Sequence, residues 1–128
     1  MTSAARGLLA ASLVLCLTGC GATPSTQARG RPLGDWLQAL ESTDVGERKT
    51  AVEVLGNVGA NDAAALPALA RTLKDADPRI RDAEVLAIMK SGPAAAATLP
   101  ALQSALEDSD PTVRSHAALA VKRVRGRR

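Results

Sequence analysis

From Leu33 onward the chain repeats itself every 33 residues with no insertion or deletion, and a strict period of this length leaves few folds open. Leu40, Leu73 and Leu106 form one such series, Asp44, Asp77 and Asp110 a second, and Arg48, Arg81 and Arg114 a third. Leu55, Ile88 and Val121 hold one aliphatic position in all three copies, and Gly59 matches Gly92, Pro67 matches Pro100, and Pro78 matches Pro111. A unit this short cannot bury its apolar face alone, so copies stack and each completes its neighbour's core. Within each copy, apolar residues recur at i, i+3, i+4 and i+7, the spacing of a helix with one buried stripe. The first helix of each pair runs through Trp36, Leu37 and Leu40, then Leu66, Leu69 and Leu73, then Leu99, Leu102 and Leu106. The second buries Ala51, Val54, Leu55 and Val58 in copy one and Val113, Ala117, Ala120, Val121 and Val124 in copy three. Pro67 and Pro100 fall near the start of a first helix, where a missing N–H does least harm. Asp77-Pro78 and Asp110-Pro111 read as aspartate N-caps followed by proline at the first helical position. The expectation is an all-α fold, a short right-handed α-solenoid of three helix pairs. Its units cover about 33–62, 63–95 and 96–125, with a basic tail at 126–128.

The N-terminus sets an address. Arg6 precedes Gly7 to Leu17, an apolar run too short for a permanent span, so residues 1–19 read as a cleaved export signal. Leu17-Thr18-Gly19-Cys20 resembles the bacterial lipobox, in which the cysteine becomes the acylated first residue of the mature protein. That resemblance implies a lipid anchor, palmitate-type chains on Cys20, and attachment without spanning, because two or more acyl chains hold stably. Gly21 in place of an aspartate directs such a protein to the periplasmic face of the outer membrane in a diderm host. In a monoderm host the same anchor leaves it on the outer face of the plasma membrane. Residues 20–32 are rich in small and turn-forming types and read as a flexible tether with a reach of roughly 20 Å. With Cys16 removed and Cys20 acylated, the mature chain has neither disulfide nor thiolate ligand.

The motifs Asp77-Pro78-Arg79-Ile80-Arg81 and Asp110-Pro111-Thr112-Val113-Arg114, with Asp44, Arg48, Ala51, Leu55, Gly56 and Gly59 in copy one, resemble HEAT-like repeats of the phycobilisome-lyase type. The resemblance covers about Leu33 to Val124. It implies a structural ladder between successive repeats built from Asp44, Arg48, Asp77, Arg81, Asp110 and Arg114, and the spacing alone gives the same reading, since each arginine follows its capping aspartate by one turn. The chain departs from the pattern at Val45 and Glu47, which weakens the first cap. It departs again at Glu84, a carboxylate in a slot for a small residue, where it needs a partner such as Arg81 or Arg48.

Nothing in the inventory points to catalysis. His116 is the only histidine, tyrosine is absent, and there is no phosphate loop, no histidine-glutamate metal pattern and no cofactor motif. His116 reads as a partly exposed residue at the edge of a second helix. What remains is surface: Val52, Val85, Leu86, Met89 and Leu119, with Lys122, lie one turn from the buried stripe and form an apolar strip that serves either a partner helix or peptide or the packing of the stack itself. Lys122, Arg123, Arg125, Arg127 and Arg128 concentrate positive charge, favourable for the macrodipole and suited to anionic lipid or polymer. An exported chain with a single aromatic offers nucleic acid no stacking platform. Three repeats with an alanine-rich core and no evident polar cap at the far end suggest self-association or a larger partner. The functional expectation is a membrane-anchored, non-enzymatic protein-binding module of the cell envelope, with an accessory subunit of a larger envelope assembly as the alternative and a lyase-like component as a distant third.

Overall fold

The computed structural model describes residues 27–62 and 64–126; the signal segment, Cys20, Arg127 and Arg128 lie outside them. Six α-helices pair off in sequence: α1 (Leu33–Ala39) with α2 (Val45–Val58), α3 (Ala65–Thr72) with α4 (Pro78–Ser91), and α5 (Leu99–Ala105) with α6 (Pro111–Val124). The second helices stack directly, α2 on α4 and α4 on α6, while each first helix packs on its own second helix. This is the all-α stacked solenoid that the 33-residue period predicts.

Each second helix starts for the same reason. The side chains of Asp44, Asp77 and Asp110 accept from the backbone N–H of Gly46, Arg79 and Thr112 at 2.8, 2.9 and 2.8 Å, satisfying N–H groups with no intrahelical partner. Copy one keeps its cap although Val45 replaces the proline found at Pro78 and Pro111. The core is aliphatic and alanine-rich, with Leu55, Leu69, Ile80, Ile88 and Leu102 wholly enclosed. Small residues let the second helices approach closely. A Cβ built on Gly56 of α2 lies 2.6 Å from the Cβ of Ala87 on α4, closer than two such atoms can sit. Gly56→Ala is therefore expected to lose about 1–2 kcal/mol, overpacking outweighing the gain in helix propensity. Gly34→Ala on α1, which meets nothing within 4 Å, should hold or raise stability; urea denaturation of the two variants compares them directly.

Two matched glycines differ in conformation. Gly59 is right-handed helical at φ −56°, whereas Gly92 sits at φ 54°, which permits the break between α4 and the 3-10 segment Gly92–Thr98. By length and composition Pro78–Ala105 is apolar enough to cross a membrane, but this break folds it into two packed helices.

The tether reading needs correction at its end. Gln27–Ala28 and Arg31–Pro32 form a short antiparallel hairpin closed by Arg29 and Gly30, both at positive φ, as a tight two-residue hairpin turn requires. The Trp36 indole N–H donates to the Ala28 carbonyl at 2.8 Å, and the Arg31 guanidinium lies 4.5 Å from the ring centroid. The sole aromatic thus anchors the first repeat and fastens the preceding segment to it.

Candidate binding surfaces

The arginine ladder exists, but its carboxylates are not the predicted ones. Arg48 donates from Nε and Nη2 to Asp75 at 2.7 and 3.3 Å, and Arg81 does the same to Asp108 at 2.8 and 2.9 Å. Each fork therefore crosses to the turn of the next repeat, 27 residues ahead. Asp44, Asp77 and Asp110 are instead committed to capping, and Asp77 also pairs with the exposed Arg79, whose hydrogen bonds hold its carboxyl at about 2. The third guanidinium nitrogen ties down the arginine's own turn: Nη1 of Arg48, Arg81 and Arg114 donates to the carbonyls of Ser42, Asp75 and Asp108 at 2.8, 2.7 and 2.6 Å. Asp75 and Asp108 obey the same 33-residue spacing, with Ser42 in the equivalent place, so the period itself carried the signal. Pairing with Arg81 lowers the Asp108 pKa and raises that of the arginine.

Glu84 sits at the position of Ala51 and Ala117 and is as fully buried as they are. The expected arginine partner is absent: the forks of Arg48 and Arg81 are filled by Asp75 and Asp108, and neither Glu84 oxygen has a hydrogen-bond partner. The Thr72 hydroxyl is directed at the carbonyls of Ala68 and Leu69. Burial pushes the Glu84 pKa up to about 8, the nearby Asp75 adding to it and Arg48 and Arg81 opposing.

The apolar strip on the second helices is smaller than the spacing suggested. Val52 and Val85 are 0% exposed and belong to the core, not to a patch. They lie on the side of α2 and α4 that the following second helix covers; only in α6, which has no described helix beyond it, is the matching Ala118 exposed. Met89 is half-buried against the core and Leu86 half-buried, while Leu119 is 50% exposed and Lys122 is exposed. The surface left open is a shallow groove between α2 and α4, with Leu86 flanked by Lys49, Glu53, Asp82 and Lys90; Leu119 on α6 is the 33-residue counterpart of Leu86. His116 is half-buried and hydrogen-bonded through Nδ1 to Asp82 of the preceding second helix, a cross-repeat contact that spacing did not suggest. Among the described residues no group of histidine, cysteine and carboxylate side chains could hold a metal.

Comparison with curated proteins gives no match. A family model for HEAT repeats matches residues 33–122, the whole stack from α1 into α6. Such repeats are commonly scaffolds for protein interaction and generally non-catalytic. With the caps, the paired helices and the cross-repeat ladder in the same residues, the chain belongs to the HEAT-repeat family.

Proposed function

We propose that this chain is a lipid-anchored, non-enzymatic binding module of the bacterial cell envelope, held by Cys20 and presenting its second-helix surface to a protein partner. The observation that carries the reading is Leu119: about half of this large apolar residue stands in solvent on a helix whose other large aliphatics are buried, at the 33-residue counterpart of Leu86 and beside the exposed Lys122 and Arg123. The phycobilisome-lyase-type signature enters as architecture, since its aspartates and arginines build caps and forks. The lipobox resemblance supplies the anchor and the outer-membrane or outer-leaflet address, and the exposed Lys122, Arg123 and Arg125 suit anionic headgroups or polymers. An accessory-subunit role gains support from the last described repeat, where Leu106 is 38% exposed although its counterparts Leu40 and Leu73 are buried.

The test is a crosslinked pull-down from the native envelope. Leu119→Ser should reduce recovery of a stoichiometric protein partner at least tenfold and shift the melting temperature by less than about 3 °C, because an exposed site away from special features contributes little to stability. Cys20→Ala should move the protein to the soluble fraction. Recovery of lipid, polymer or the protein itself alone, unchanged by Leu119→Ser, would sink the adaptor reading.

A further inference from the structure

We propose that the outer face of the third repeat, made by Arg114, Ala118 and Lys122 of α6 with Leu106 beside them, docks an acidic helix turn of another protein: one bearing an aspartate two residues before its N-cap. The argument starts from the ladder. Twice in this molecule an arginine fork grips such a turn, Arg48 on Asp75 and Arg81 on Asp108, and both carboxylates also accept from the backbone N–H of the cap residue two positions on, at 2.8 Å. The Arg114 guanidinium is already held in the same pose by its own turn, Nη1 donating to the Asp108 and Ser109 carbonyls at 2.6 and 3.2 Å. Its Nε and Nη2 meet no carboxylate among the described residues, and the side chain is exposed. A preorganised bidentate fork loses little entropy on closing around a carboxylate, which favours that ligand over a neutral one.

The neighbouring positions have changed to match. Where α2 and α4 offer Val52 and Val85 to the next repeat, α6 offers Ala118, and where they carry Gly56 and Met89 it carries Lys122. The face is less apolar and more cationic than an internal one, so it suits an incoming acidic turn that is not permanently attached. The chain's own first repeat is a poor occupant. Ser42 stands where Asp75 and Asp108 stand, its hydroxyl donates to Glu47 at 2.6 Å, and Glu47 also faces Arg31 of the hairpin at 3.9 Å. The groove lined by Leu86 between α2 and α4 contains none of these residues, so the two surfaces are tested by different variants.

The probe is a helix-stapled peptide of this chain's residues 104–120, which carries Asp108 two residues before the cap Asp110 and is confirmed helical by circular dichroism, titrated into the full chain in detergent with the arginine Nε–H resonances observed. Saturable binding that shifts the Arg114 resonance is expected, weakened at least tenfold by Asp108→Asn in the peptide or by Arg114→Lys in the protein. Because Arg114→Lys also loosens its own turn, Ala118→Glu, which touches no turn, should weaken binding to the same degree while the melting temperature holds. Leu119→Ser should leave the peptide's affinity unchanged. Equal binding by the Asp and Asn peptides, shifts confined to Leu86 and Leu119, absence of binding by the helical peptide, or occupation of the face by a second copy, seen as concentration-dependent sedimentation, would each overturn the proposal.

Discussion

Glu84→Met is expected to stabilise the protein by about 3 kcal/mol at pH 7 and to flatten its dependence on pH. The unfolded chain ionises this residue near 4.5, whereas the folded chain holds the proton up to about 8. Between those values the folded state binds more protons than the unfolded one, so stability falls as pH rises, by about 1.4 kcal/mol per unit at the steepest. Below 4.5 the burial carries no ionisation penalty, and above 8 the loss is complete at roughly 5 kcal/mol. Methionine has a similar shape and no charge, and it removes two buried oxygens that lack partners. Urea melts at pH 4, 6, 7 and 8 check this: the two proteins should converge at pH 4 and diverge steadily to pH 8. Parallel curves across that range would show that Glu84 finds a charge partner in solution.

The second large effect is expected at the ladder. Arg81→Ala should cost about 2–4 kcal/mol, because it leaves the enclosed Asp108 carboxylate without its counter-ion and frees the carbonyls of Asp75 and Ala76. Arg81→Lys should recover under half of that, since an ammonium cannot reproduce the fork. A double-mutant cycle with Asp108→Asn should give a coupling energy of about 1–3 kcal/mol. The exposed pair of Arg79 with Asp77 is the internal comparison: it is as short, at 2.7 Å, yet Arg79→Ala should leave the melting temperature unchanged within error. Equal losses from Arg79→Ala and Arg81→Ala would mean that enclosure does not set the strength of these pairs.

These two sites show where reading the sequence succeeds and where it stops. Periodicity and cap chemistry are local rules, so the paired helices, the capping of Asp44, Asp77 and Asp110 and the position of each arginine were legible from spacing. Which carboxylate an arginine grips is a matter of distance across repeats. The caps were the nearer candidates in sequence, but their oxygens already bind backbone N–H groups, and the fork reaches Asp75 and Asp108 instead. Glu84 was recognisable as an intruder in an alanine slot, while its lack of a partner follows from forks that are already filled. Whether Val52 and Val85 belong to core or patch was not legible, because a helical wheel identifies a stripe without identifying which neighbour covers it. The hairpin was missed because its only cue is the dipeptide Arg29-Gly30, and Trp36, which fastens it, reads from the pattern as a core residue and nothing more.

The offset of 27 residues between fork and carboxylate also orders events in time. A chain that emerges N-terminus first, from a ribosome or from an export channel, presents each of these two arginines before the aspartate it grips, so the rung stays half-made until the next turn follows. The first and second repeats each pass through a state with an open cationic clamp, and it is the arrival of the next turn that locks the one before.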